Sequence, residues 1–169
     1  MSRITVNNVR LSFPSLFKKS VFDGVETKFE ATFLIGKEST TNKQVNKAID
    51  AFIEEKFAGK TPKGLKITAY KDGDEKDYDG YEGMMALKAG TTKRPLIIDA
   101  DKTPLIEDDN KPYAGCYVNA ILELWYSDHP KGGKQILGNL VAVQFARDGE
   151  AFGNGTSVSV DDFEDVSEF

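Results

Sequence analysis

Three groups of side chains in this sequence could do chemistry on a ligand. In IIDADKTPLIEDD, Asp99 and Asp101 fall on one face of a strand with Glu107, Asp108 and Asp109 close behind. Carboxylates so gathered are the raw material of a two-magnesium nuclease site, although no base and no phosphate-cradling glycine loop accompanies them. KDGDEKDYDGYEG packs Asp72, Asp74, Asp77 and Asp79 into eight positions, which invites a calcium reading. Counted from Asp72, however, the fifth position is Lys76 and the sixth is Asp77, where the calcium loop needs an oxygen ligand and then glycine. An acidic hairpin loop is the better description, with Tyr78 and Tyr81 in it as rings for stacking. The chain has one cysteine, Cys116, and one histidine, His129. They cannot build a zinc site of Cys and His ligands within one chain, and His129 sits in the turn sequence SDHPKGG with no nucleophile to serve. Cys116 falls in an apolar alternation and reads as a buried thiol of a reducing compartment. No metal and no cofactor is expected.

The third group is aromatic and basic. From Tyr113 to Ser127 the even positions Ala114, Cys116, Val118, Ala120, Leu122, Leu124 and Tyr126 form a nearly continuous core face. The odd positions Tyr113, Gly115, Tyr117, Asn119, Ile121, Glu123, Trp125 and Ser127 mix rings with short polar groups. Bases can stack on such a face; equally, Tyr117 and Trp125 can pack under a loop or helix. Lys93 and Arg94, Lys18 and Lys19, and Lys60, Lys63 and Lys66 are candidates for tracking phosphate, and Tyr70 for stacking. Each alone also reads as a solvated face; their case rests on bases and aromatics recurring together in loops and at strand ends.

These groups need elements to position them. ITVNNVRLSF predicts a strand whose phase slips at Asn7 and Asn8, so that Ile4 and Val6 precede the slip and Val9, Leu11 and Phe13 follow it inward, as across a bulge. A loop with a DG turn leads to KFEATFLIG, where Phe29, Ala31, Phe33 and Ile35 point inward, and the two strands are expected to pair. The one strong helix spans STTNKQVNKAIDAFIEEKFAGKTPKG, with Val45, Ala48, Ile49, Phe52, Ile53 and Phe57 at helical spacing, polar caps before it and Gly59 and Pro62 after it. LKITAY, GMMALKAG and RPLIIDA predict short strands, and the long stretches 113–127 and 134–147 form a hairpin across DHPKGG. Mainly β with one helix (α+β) points to a small barrel or sandwich plugged by the helix; the OB-type barrel is the commonest nucleic-acid-binding member of that set. No leader or membrane span is visible, and no repeat.

Charge is sorted along the chain. Residues 1–71 carry thirteen bases and seven acids, and residues 72–110 five bases and eleven acids. Asp161, Asp162, Glu164, Asp165 and Glu168 in the closing DDFEDVSEF equal the whole excess of 27 acids over 22 bases. A Gly/Ser/Asn-rich linker precedes them.

The strings RLSFPSLF, KFEATFLIGK, RPLIIDADKTPL, KPYAGCYVNA and QFARDGEAFG, from Arg3 to Gly153, closely resemble a family of phage-encoded single-stranded-DNA-binding proteins once catalogued as a domain of unknown function. The resemblance implies an OB-fold domain over 1–152 with extended hairpins, and a linker with a disordered acidic tail over 153–169. It implies a non-enzymatic protein that coats single-stranded DNA in phage replication or recombination within the bacterial cytoplasm. Tyr113, Tyr117, Trp125 and Tyr70 would stack bases, while Lys18, Lys19, Lys66, Lys93 and Arg94 would meet phosphates. Tail residues Asp161, Asp162, Phe163, Glu164, Asp165, Glu168 and Phe169 would compete for the cleft and dock on phage or host replication proteins. Phe163 and Val166 depart from a plain acidic tail and suit a partner groove or a neighbouring subunit, so a homodimer fits. Double-stranded DNA, held by its backbone, is also an admissible partner. The rivals are a nuclease using Asp99 and Asp101, and a protein-interaction module working through its tail.

Overall fold

A computed structural model describes residues 3–152, opening with strand β1 (Arg3–Ser15). The expected slip is present: β1 pairs antiparallel with the later strand β9 (Tyr117–His129), and the register shifts between Val6 and Val9, where Asn8 takes φ +54°. The DG turn closes a small hairpin of β2 (Val21–Phe22) and β3 (Val25–Glu26), with Asp23 at φ +54° and Gly24 at +77°, as a two-residue turn with both centres left-handed requires. Next come β4 (Phe29–Gly36) and helix α1 (Thr40–Phe57), whose N-cap Ser39 accepts from the Asn42 N–H and which sends Val45 and Ile49 into the core. The remaining strands are β5 (Lys66–Ile67), β6 (Tyr70–Asp72), β7 (Met84–Thr91), β8 (Leu96–Ile98), and the hairpin of β9 with β10 (Gly133–Arg147).

Pairing closes these strands on themselves. β1 joins β4 and β9, β4 joins β7, β9 joins β10, and β10 meets β7 in parallel at Asn139 opposite Gly90. The cycle β1-β4-β7-β10-β9 is a closed five-stranded barrel of OB-fold type. Gly138 permits the last contact, because a Cβ there would lie 2.8 Å from the Lys88 carbonyl. One edge of β10 is served in turn by β5, β7 and β8 through three short parallel pairings. The interior holds Leu11, Phe33, Leu87, Val118, Leu122, Ile136, Leu140 and Val143, all essentially inaccessible. Among the described residues no helix is long and apolar enough to cross a membrane.

Two expectations about strand faces change. The alternation of even and odd positions holds in β9, where Val118, Ala120, Leu122 and Leu124 are buried, but the strand begins at Tyr117 and Tyr113 precedes it. Phe13 does not point inward with Leu11: a second irregularity between Ser12 and Ser15, with Phe13 at φ +47°, turns its ring out to 57% exposure.

The acidic loop is pinned rather than loose. Lys37 Nζ lies 2.5 Å from both Asp72 Oδ1 and Asp74 Oδ2. Asp74 Oδ1 accepts from the Gly83 N–H at 2.9 Å, and the Lys37 N–H donates to the Gly83 carbonyl at 3.1 Å. Gly73 sits where a Cβ would collide with the carbonyls of Tyr81 and Met84. Hydrogen bonding to Lys37, then to backbone N–H groups, holds both carboxyls below the ordinary 3.8, and the two carboxylates hold Lys37 above 10.5. The acids' contribution is therefore complete above the ordinary aspartate value and is lost as pH falls through the depressed ones, while that of Lys37 is lost only as pH rises through its raised value.

Two outcomes follow for measurement. Leu122→Ala, at a fully buried barrel position, should lower the denaturant-unfolding free energy by about 2–5 kcal/mol. In carboxyl-detected NMR titrations Asp72 and Asp74 should protonate below 3.8, and Lys37→Ala should return both toward it.

Candidate nucleic-acid interface

Outward side chains of β4 and β7 form the floor of a hollow of about 370 Å³. Thr32 and Glu30 come from β4, Ala86 and Lys88 from β7, and Thr68 and Lys71 from the edge beside them. The pinned loop supplies the far wall with Lys76, Tyr78 and Tyr81, and β1 contributes Phe13. Three lysines face a single glutamate there, and Lys88 Nζ lies 3.7 Å from Glu30 Oε2, so the hollow is cationic although the body of the chain is neutral.

The rings are braced edge to face. Phe13 meets Tyr78 at 5.0 Å between centroids and 69° between planes, and Tyr78 meets Tyr81 at 5.2 Å and 66°. Tyr81 is buried, and its hydroxyl lies 2.8 Å from Ser12 Oγ, so it supports Tyr78 from behind. Burial raises the Tyr81 phenol above its ordinary value and keeps it neutral. Tyr78, 48% exposed, and Phe13 offer their free faces to the hollow.

Two residues farther along the outward side of β7 a second hollow, of about 440 Å³, begins at Gly90. Its lining includes Lys28, Thr91 and Thr92, and across the seam Glu123, Trp125, Leu137 and Asn139 from the β9–β10 hairpin. Lys28 lies over Gly90 and Glu30 is opposite Gly90 in register, so the two hollows, which share no lining residue, adjoin as a track along the barrel wall. Trp125, 46% exposed, stands at its far end. The base of the β2–β3 hairpin is closed by the Ser20 N–H on the Lys28 carbonyl, so the hairpin with its exposed Val21, Phe22 and Val25 springs from beside Lys28 of the second hollow.

The sequence-derived candidates divide around this track. Trp125 lies in it, and Lys93 follows Thr92 at its margin. Tyr70 is corrected: it is 6% exposed in the core, its hydroxyl donates to Asn42 Oδ1 at 2.6 Å, and no face is open to a base. Tyr113 is committed elsewhere: its hydroxyl donates to Asp148 Oδ1 at 2.6 Å and accepts from the Gly149 N–H at 3.2 Å, and that carboxylate raises its pKa. Tyr117 sits eight residues up β9 from Trp125, roughly 26 Å away, with the Arg147 guanidinium 3.8 Å above its ring. Lys18 and Lys19 line a separate hollow with Phe17, Val21 and Glu107; Lys18 pairs with Glu107 at 3.2 Å, and Arg94 donates to the Phe17 carbonyl nearby. Lys66 is exposed on β5, paired with Gln135. The tail residues 161–169 lie outside the described residues.

Sequence reasoning passed over Phe13, Lys28, Lys71, Lys76 and Lys88. Lys71 and Lys76 were masked by neighbouring acids, yet Asp72 and Asp74 turn away to Lys37 while those lysines face the hollow. The carboxylates of the nuclease reading are also occupied. Asp99 pairs with Lys111 at 3.0 Å and Asp101 caps Thr103, each held below its ordinary pKa by that contact. Among the described residues no three His, Cys, Asp or Glu side chains gather to hold a metal ion. Cys116 is fully buried, and desolvation pushes its thiol up to about 11.

The last described residue, Phe152, packs with Tyr81, Met84 and Leu34 beneath the Arg10 guanidinium, 3.9 Å from its ring. Phe152 thus lies against the loop that walls the first hollow.

The sequence profile of a family described as the Enterobacter phage Enc34 ssDNA-binding protein matches residues 2–168. Protein p50 of Acyrthosiphon pisum secondary endosymbiont phage 1 is 39% identical over 175 residues, covering 98% of this chain and 94% of that protein. The solved single-stranded DNA-binding protein from bacteriophage Enc34 in complex with ssDNA superposes with a TM-score of 0.76 at 29% identity, over 90% of each chain. gp2.5, a single-stranded DNA binding protein encoded by bacteriophage T7, shares the fold at a TM-score of 0.62 and 10% identity, over 99% of this chain and 97% of that one. On the profile match and the identity to p50, the chain belongs to the family of the Enterobacter phage Enc34 ssDNA-binding protein.

Proposed function

We propose that this protein binds single-stranded DNA along the track from Phe13 and Tyr78 to Trp125, without catalysis, and coats it during phage replication or recombination in the host cytoplasm. The observation that carries this reading is the gathering of exposed rings and lysines around the outward face of β4 and β7, the face that OB barrels use for oligonucleotides. Bases stack on Tyr78, Phe13 and Trp125, and Lys71, Lys76, Lys88 and Lys28 neutralise phosphates. Stacking, which every base can do, makes binding tolerant of sequence. The Enc34 protein, solved in complex with ssDNA, supports the same partner here.

The division of labour is a binding domain over 1–152 and a linker with an acidic tail over 153–169. Seventeen residues follow Phe152, a length that at full extension spans about 60 Å, enough for Asp161 to Glu168 to reach the hollow beside Phe152. Five carboxylates on that tether act as a weak polyanion at high local concentration, which DNA must displace. Once displaced, Phe163, Val166 and Phe169 are available to a phage or host replication protein.

Fluorescence anisotropy of labelled single-stranded and duplex oligonucleotides across a salt series tests these points. Tyr78→Ala and Trp125→Ala should each weaken single-strand binding by roughly five- to a hundredfold, matching about 1–3 kcal/mol per stacked base. Lys88→Ala should make the negative slope of log K against log salt shallower by roughly 0.7. A truncation ending at Val160 should bind more tightly than the full chain, the gap shrinking as salt rises. If neither form binds at low salt, the track is structural and the tail becomes bait for a protein partner.

A further inference from the structure

The loop that presents Tyr78 is tied at both ends to one residue. Lys37 stands between β4 and α1; its ammonium takes Asp72 and Asp74 from the start of the loop, and its backbone N–H takes the Gly83 carbonyl from the end. Asp74 repeats the closure, one oxygen on Lys37 and the other on the Gly83 N–H, and Asp72 Oδ1 fixes the Asp74 N–H at 2.9 Å. Between the two ties lie Lys76, Tyr78 and Tyr81, the far wall of the first hollow. None of Lys37, Asp72 and Asp74 lines either hollow.

We propose that Lys37, Asp72 and Asp74 form a positioning latch that holds Tyr78 in its DNA-binding arrangement, so that two acids beside a polyanion site strengthen its hold on DNA. The inference rests on the reading of the track given above. Its physical basis is pre-organisation: a loop already fixed gives up little freedom when a base settles on its ring, whereas an untied loop loses that freedom on binding. Coulomb's law alone demands the opposite. The latch carries one positive and two negative charges, and removing a negative charge near the cleft should favour phosphate. The two accounts thus differ in sign for one substitution.

The test is the same anisotropy salt series with Asp74→Asn, Lys37→Ala, Lys37→Arg and Tyr78→Ala, with the thermal midpoint of each protein recorded. Asp74→Asn and Lys37→Ala should weaken single-strand binding roughly three- to tenfold at every salt concentration while leaving the salt slope at the wild-type value. Lys37→Arg should recover most of the affinity. In the Tyr78→Ala background Asp74→Asn should have little further effect, because both act through one ring. Asp74→Asn binding as tightly as wild type or more so overturns the latch, and so does a fall of about 0.7 in the slope for Lys37→Ala, which would make Lys37 a phosphate contact. Should Asp74→Asn fail to fold, Asp72→Asn carries the same contrast in sign. Wild type that binds and depends on Tyr78, but ignores the latch, refutes this inference alone; wild type that does not bind refutes the track and the latch together.

Discussion

The contact on which the rest depends is the parallel meeting of β7 and β10, one register pair at Gly90 and Asn139. Four antiparallel pairings build a curled sheet, and this fifth one makes it a barrel. Both partners must come within backbone distance, which is why Gly138 faces the Lys88 carbonyl with no side chain between them. The seam also joins two surfaces that would otherwise be separate: the β4–β7 wall with its tyrosine and lysines, and the β9–β10 hairpin with its tryptophan. A track that crosses the barrel exists only because the barrel closes there.

Much of this was legible in the residues and some of it was not, for physical reasons. Alternation in β9 is local and strict, so the buried positions from Val118 to Leu124 could be named in advance; the Ser39 cap and the DG turn are likewise short-range chemistry. The phase slip at Asn7 and Asn8 was visible because it interrupts that alternation. The second slip was not, since Phe13 looks like a core residue in every respect except a backbone angle that only the β1–β4 register imposes. Tyr70 misled in the opposite sense: placed at a strand end it resembles a surface ring, and only the arrival of α1 overhead, with Asn42 for its hydroxyl, buries it. The family resemblance fixed the class of fold without locating a single contact.

Charge in this protein has to be counted in space rather than along the chain. The stretch 72–82 is acidic by composition, yet Asp72 and Asp74 turn toward Lys37 while Lys71 and Lys76 turn toward the hollow, so an acidic segment builds part of a cationic wall. The same sorting occurs at Asp99 and Asp101, whose partners Lys111 and Thr103 make them parts of a turn rather than a centre of chemistry. A net charge near zero for the body conceals both arrangements.

Because the barrel interior and the track are written on alternate residues of the same strands, a lineage can revise one without disturbing the other. Inward positions such as Phe33 and Leu87 answer to packing, while their immediate neighbours Thr32 and Lys88 answer to whatever lies on the wall. Such interleaving separates two selective pressures within one segment. It permits turnover of the outer letters while the shape persists. Divergence of this kind should erode the surface vocabulary first and the rhythm of the strands last.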